Sequence, residues 1–305
     1  MGYQFQQLSE PINVPDFSLF NSIDFLSRHQ SNLLQFLIKR KSEIVGVIHF
    51  NLIGDKALSP WKASFGGFEF SKELPYSIIS NFVTWVISQV VRKNFAEIQI
   101  TFPPDFYKNS AYEIMSDILQ DCDFQVCVET GQALVCGEKN FSQLINRFER
   151  SKLERSLRDS FKSWKGIGEL PEAAFQMIVK NRERKNIPVK LEYGELKENF
   201  VKFSDNFHWF GVCKGDEIAA ASVGIRVQPE IMYHFFPGHD NKFDAWSPMV
   251  LLLNELYGYC LKKEIKYLDL GISSVDGKIN QGLYQFKKNL GAMEYKQAKF
   301  KWTAE

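Results

Sequence analysis

No apolar run in this chain approaches the length needed to cross a bilayer: the longest, near Met249 to Leu253, is broken at once by Asn254 and Glu255. The opening text, MGYQFQQLSEPINVPDF, has neither the basic segment nor the apolar stretch of a secretory signal, so a cytoplasmic protein without membrane insertion is expected. Cysteine is scarce, five in 305 residues, odd in number and without a CxxC pair. That argues against a disulfide framework and against zinc; Cys122, Cys127, Cys136, Cys213 and Cys260 read as reduced, mostly buried small hydrophobes. Net charge is nearly absent, +1 from 37 basic and 36 acidic side chains, which removes the concentrated positive field that DNA binding needs. No Walker loop, HExxH or complete GxGxxG occurs. Ser273 and Ser274 lack the G-x-S-x-G setting of a nucleophilic serine.

What remains is ordinary globular composition, 24% charged and 45% apolar, in a chain long enough for two domains with real cores. The 27 phenylalanines suit either large cores or aromatic-lined clefts, and composition does not choose between them.

Periodicity and turn residues predict a helical segment over Asn21 to Arg28, a hairpin from Leu33 to Phe50 turning at Lys41-Ser42, and a third strand from Leu58 to Phe70 that includes the pair Gly66-Gly67. Pro75 opens a helix with apolar residues from Ile78 to Val91. A strand (Glu97 to Phe102), a helix (Ser110 to Gln120) and a strand (Phe124 to Glu129) complete this half. The second half repeats the order at a nearly fixed offset. Phe36 falls on Phe210, Pro75 on Pro248, Ile98 and Ile100 on Leu268 and Leu270, and Phe124 on Tyr295. Between the halves, Phe141 to Trp164 and Pro171 to Lys185 read as two helices rich in Arg and Lys, the second ending in KNRERKN, which suits an anionic ligand or a solvated helix face. Hairpins running into strand-helix-strand crossovers predict mixed α/β sheets flanked by helices, with domains at 1–150 and 151–305 and a helical connection over about 141–190.

The stretch Tyr267 to Ala292 concentrates the unusual chemistry: a strand delivering Asp269, a polar loop, then a helix carrying Tyr284, Phe286 and Lys287 and stopped by Gly291. Its counterpart in the first half has Gln99 where Asp269 stands and no matching lysine. The duplicated α/β half, together with RFERSKLERSLRDSFK, NRERKNIPV, YLDLGISS and GLYQFKKNLGA, resembles the GNAT superfamily in its tandem, FemAB-like form. The resemblance implies two GNAT-like domains, each a mixed, mostly antiparallel sheet, and transfer of an acyl group from a coenzyme A thioester or an aminoacyl-tRNA. The acceptor it implies is an amine or hydroxyl of a small molecule, sugar or cell-envelope precursor. No tightly bound cofactor is expected. The sequence departs from the family where coenzyme A phosphates are usually cradled by a glycine-rich loop: HDNKFDAWSPMV has no glycine between Asp240 and Pro248.

Lys287, matching the family's F-K pair, is expected to hold an anionic group or stabilise a developing oxyanion; a solvated helix lysine is the plain alternative. Asp269 is a base, a substrate anchor, or a structural acceptor for the following loop. Strand alternation turns either Tyr233 or His234 toward the cleft as a proton carrier. Trp61, Gly66, Tyr107, Ser273 and Tyr284 are candidate substrate contacts, and Ser247 and Met249, at a helix start led by Pro248, are candidate contacts for a donor's anionic part. No metal site is expected, His234 and His239 being too loosely placed. A non-catalytic binding module for an anionic peptide or sugar nucleotide is the competing reading.

Overall fold

A computed structural model describes residues 2–14, 17–29, 32–107 and 112–304, and the chain divides into two compact units. The first comprises Met1–Gly131, Ser274–Ile279 and Tyr295–Glu305; the second comprises Gln132–Ser273 and Asn280–Glu294.

The N-terminal elements are β1 (Tyr3–Leu8), the short α1 (Ile23–Leu26), β2 (Asn32–Arg40), β3 (Glu43–Ile53), β4 (Lys56–Ser59), β5 (Glu69–Phe70), α2 (Tyr76–Val91), β6 (Glu97–Thr101), α3 (Tyr112–Gln120) and β7 (Gln125–Val135). The β2–β3 hairpin turns at Lys41, whose φ of 56° is left-handed, and both strands are continuously buried in the middle. The expected third strand is two short pieces, β4 and β5, both pairing with β3. Pro60 brings no backbone N–H to continue the ladder, and Gly66 lies so close to Pro60 and Asn21 that an added Cβ would meet them at 3.1 and 3.2 Å. β1 pairs with β2 and has no counterpart in the sequence reading, its alternating Gln and apolar residues being only half-buried. The expected start of α3 at Ser110 lies outside the described residues.

Helix α2 presents Ile79, Phe82, Val83, Val86, Ile87 and Val90 to the sheet at helical spacing, against Phe36, Phe50 and Phe102. Much of the aromatic surplus is therefore core: Phe36, Phe50, Phe82, Phe102 and Phe300 are fully buried there.

The chain continues through α4 (Phe141–Leu144), α5 (Arg147–Arg158), β8 (Phe161–Lys165), α6 (Glu172–Arg184), α7 (Tyr193–Lys202), β9 (Phe207–Lys214), β10 (Glu217–Gln228), β11 (Ile231–His239), α8 (Pro248–Lys262), β12 (Tyr267–Ile272), the small hairpin β13 (Ser274–Val275) and β14 (Lys278–Ile279), α9 (Gln281–Asn289) and β15 (Met293–Thr303). The long helix expected over Phe141 to Trp164 breaks twice. Asn140 and Asn146 each cap a new helix start, and Phe161 to Lys165 is a strand pairing with β9. The second core is formed by Phe210, Met232, Val250 to Leu253, Leu256, Tyr257 and Leu268.

The repeat is real at the level of pairing. β3–β4 and β10–β11 are antiparallel, while β4–β6 and β11–β12 are parallel, each across a helix that begins next to a proline. The division at residue 150 is displaced, however, to Gly131–Gln132, and the last strand is assigned to the first unit. There β15 runs antiparallel to β6, Phe300 opposite Ile100, and Ala298 and Phe300 fill the first core. Chain order predicts neighbours by proximity, whereas a strand goes where its apolar face is buried. Of the cysteines, all free, Cys260 alone among the five is fully buried; the others are half-buried. Among the described residues, no helix is long and apolar enough to cross a membrane.

Candidate functional site

In the second unit, β11 and β12 pair in parallel over only three positions, ending at Tyr233 opposite Asp269. β11 then runs on to His239 and β12 to Ile272, and the gap where they part opens into a cavity of about 780 Å³ lined from β11, α6, α9, the end of β12 and the start of α8. Both Tyr233 and His234 line the cavity, where only one was expected to, although burial still alternates between them, Tyr233 half-buried and His234 buried. Past Phe235 the register with β10 shifts, and Phe236 takes a φ of 48°.

Lys287 is the best-defined group. Asn280 caps α9 by accepting from the N–H of Leu283, which sets the helix phase so that Lys287 points inward from the last turn and is 4% exposed. Its Nζ donates to the carbonyls of Gly271 at 2.6 Å and Ile272 at 2.9 Å. Burial pulls its pKa down to about 7, with the nearby Asp269 carboxylate acting in the opposite direction. Asp269 is fully buried, and its Oδ1 accepts from the N–H of Gly271 at 2.8 Å. Gly271 is thus held from both sides, in a left-handed conformation with φ 76°. Asp269 does not line the cavity; it is a buried neighbour of the lysine and an acceptor for the loop.

His234 is 8% exposed and its Nε2 has no hydrogen-bond partner. Burial, then the charges of Lys287 and Arg182, hold its pKa at about 3, so the ring is neutral throughout the physiological range. Arg182, from the last turn of α6, lies with its guanidinium 5.0 Å from the centre of the Phe236 ring, and its Nε is buried without a partner. Neighbouring Asn181 donates to the His239 carbonyl at 2.6 Å, and His239 pairs with Asp244 at 2.8 Å.

Ser247 and Met249 line the cavity at the start of α8. Ser247 occupies the N-cap position, but in a left-handed conformation (φ 50°) and without a capping hydrogen bond from its side chain. Before it, Asn241–Trp246 is a 3-10 helix tied down by three contacts. The Trp246 indole donates to Asp159 at 2.6 Å, Ser156 to the Trp246 carbonyl at 2.8 Å, and Arg155 to the Ala245 carbonyl at 2.9 Å. A pinned 3-10 turn thus stands where the family resemblance implies a glycine-rich phosphate loop.

Five of the candidate contacts do not line this cavity. Trp61, Gly66 and Tyr107 belong to the first unit, where Trp61 stacks with Lys62 and Tyr107 packs edge-on against Phe65 at 5.1 Å. Ser273 is buried and donates to Gln132 at 2.8 Å, and the Tyr284 hydroxyl donates to Glu294 at 2.7 Å. Conversely, Arg182, Lys185, Asn181 and Gly271 were not singled out individually, although the first three fall within KNRERKN. The potential ligand atoms of Cys127, Glu129 and Asp276 in the first unit come within 4.8 Å of one another. Ser274 and Gly277 donate to Glu129, which accounts for that carboxylate as a tether of the β13–β14 hairpin.

A strand pair that parts beside the start of a central helix has a counterpart among known folds. Residues 141–297, more than half of the chain, match the acetyltransferase (GNAT) domain family. The chain belongs to the GNAT acetyltransferase family. No curated protein matches it in sequence. Solved structures match the GNAT chain along nearly its whole length at low identity. FemX aligns with a TM-score of 0.66 and 11% identity, covering 95% of this chain and 93% of that one. The C-terminal domain of a putative lysylphosphatidylglycerol synthetase from Agrobacterium fabrum gives 0.60 and 11%, covering 85% and 82%. A tandem GNAT protein from the clavulanic acid biosynthesis pathway gives 0.54 and 10%, covering 90% and 83%. At these identities the likeness concerns the fold alone, a mixed α/β sheet flanked by helices.

Proposed function

We propose that this GNAT-family chain transfers an acyl or aminoacyl group to an amine or hydroxyl by direct attack, with the chemistry in the cavity of the second unit. The observation that carries the reading is Lys287. Two of its three N–H donors are taken by the Gly271 and Ile272 carbonyls, which leaves one for a ligand at the cavity wall. As the acceptor's lone pair adds to the acyl carbon, the carbonyl oxygen becomes an oxyanion, and a charged donor fixed before reaction stabilises it. Collapse reforms the carbonyl and expels the donor's leaving group, which takes up the proton lost by the acceptor. His234 stays neutral, and Tyr233 lies within the same cavity as a hydrogen-bonding group.

The donor is better supported as an aminoacyl group than as coenzyme A in its usual pose. The pinned 3-10 turn before Ser247 offers no open glycine loop for the phosphates. A relative in fold is named as a synthetase of lysylphosphatidylglycerol, an aminoacylated product. The acceptor class we favour is a sugar or cell-envelope precursor bearing a free amine or hydroxyl, in a cytoplasmic setting. Purified protein incubated with acetyl-CoA, longer acyl-CoAs and charged tRNA, each with a broad acceptor panel, is expected to turn over at least one donor. Failure with all three would sink the transfer reading. That same pinned turn also favours a second reading, a binding module without catalysis. Ligand affinity retained in Lys287→Ala alongside loss of transfer would dispose of it.

A further inference from the structure

The charges around the cavity divide unevenly. Lys152 is taken by Glu149 at 2.9 Å, and Lys287 is held by two carbonyls with the Asp269 carboxylate nearby. Asp244, the carboxylate at the cavity wall, is shared between His239 at 2.8 Å and Arg184 at 3.7 Å. Arg182 is left over. Among the described residues it has no carboxylate partner, its Nε is buried without a hydrogen bond, and burial disfavours its charge. Its guanidinium lies over the Phe236 ring, 5.0 Å from the ring centre. Lys185, one turn further along the same helix, stands at the rim, also without an ion pair among the described residues.

His234 supplies a second, independent vacancy: a neutral imidazole more than nine-tenths buried whose Nε2 is unmatched on the same cavity. Buried polar groups are almost always matched, and a half-buried guanidinium whose Nε is unmatched, near a neutral N–H donor, suits the lone pairs of an oxyanion. These groups come from α6 and β11, whereas the donor's anionic part was expected at the start of α8, another element of the same cavity wall.

We propose that Arg182, with His234 beside it and Lys185 at the rim, is a receptor for an oxyanion, carboxylate or phosphate, carried by the acceptor substrate. Assignment to the acceptor rests on the transfer reading above; the receptor itself does not. His234 takes the tautomer with hydrogen on Nε2 and donates to the oxyanion. Arg182 grips it through Nε and a terminal nitrogen, and Lys185 raises the local anion concentration.

The test is titration calorimetry on the full chain at constant ionic strength, with inorganic phosphate and with succinate as probes and chloride as the control anion. It compares wild type with Arg182→Ala, Arg182→Lys, His234→Phe and the surface control Lys263→Ala, with thermal melting to confirm that each folds. Saturable binding of phosphate or succinate is expected in wild type and Lys263→Ala, weakened at least tenfold in Arg182→Ala and not restored in Arg182→Lys, which cannot reproduce the fork. His234→Phe, which removes the donor while keeping a ring, is expected to weaken it several-fold. The probe that binds tells carboxylate from phosphate. Equal affinity in wild type and a folded Arg182→Ala, or no saturable binding of either probe above chloride, would overturn the receptor. If binding behaves as expected but no donor is ever turned over, the receptor stands and the transfer reading falls. If transfer is found, Arg182→Ala should raise the acceptor's KM at least tenfold with kcat and the donor's KM unchanged; a drop confined to kcat would overturn the assignment to the acceptor.

Discussion

The Nζ of Lys287 lies 2.6 Å from the carbonyl oxygen of Gly271, whose own N–H donates to the carboxylate of Asp269 at 2.8 Å. One glycine therefore links a buried acid and a buried base on opposite sides of the loop that leaves β12. The ammonium reaches the cavity held rather than free, as an electrostatic catalyst needs to be.

Removing that donor should cost transfer rather than binding. Lys287→Ala is expected to lower kcat by about 10²- to 10³-fold, the usual effect of losing one oxyanion donor. Single-turnover rates at saturating donor would measure it, and a change below threefold would count against a role for Lys287 in the reaction.

The rate should also follow the charge on this lysine. Its pKa is about 7, so the donating ammonium is full below that pH and is lost as pH rises through it. A falling limb near pH 7 is expected in kcat. Asp269 raises this pKa, so Asp269→Asn should move the limb to lower pH. A pH–rate profile from 5.5 to 9 of both proteins decides it. His234, held at about 3, should contribute no limb in that range.

In the first unit, Glu69 is 1% exposed and accepts from Ser18 N and Oγ and from Asn21 Nδ2. Burial raises its pKa above 4.5, more than those hydrogen bonds lower it. The folded state therefore binds the proton more tightly than the unfolded one. The stability this linkage gives is full below pH about 4.5 and is lost as pH rises through the folded pKa. Glu69→Gln should gain on wild type between pH 5 and 8 in urea unfolding. Glu69→Ala should cost about 1–3 kcal/mol by stranding the donors.

Gly291 ends α9 at φ 82°, and a Cβ there would meet the Leu144 carbonyl oxygen at 2.8 Å. Gly291→Ala is expected to destabilise the chain by about 1–3 kcal/mol through left-handed strain, with the clash adding to it. Thermal melting would register this as a lowered Tm, and an unchanged Tm would show that the helix end yields.

Local pattern and local chemistry were enough for much of this. The spacing of Ile79, Phe82, Val83 and Val86 settles α2, Gly291 settles the end of α9, and the offset between Phe36 and Phe210 or Pro75 and Pro248 exposes the duplication, because side-chain period and turn geometry are written in short stretches of chain. Lys287, Tyr233, His234, Ser247 and Met249, picked out in the sequence, do line one cavity. What the sequence could not decide is whatever depends on groups far apart in the chain. Chain order put the last strand in the second domain; the burial of Ala298 and Phe300 puts it in the first unit. Aromatic type nominated Trp61, Tyr107 and Tyr284, and tertiary packing gave them other neighbours. Arg182 looked like one cation among many in KNRERKN until folding placed Asp244 against Arg184 and left its own Nε buried and unmatched. Whether a charge is solvated, paired or waiting for a ligand is a property of its surroundings, and those exist only once the chain has folded.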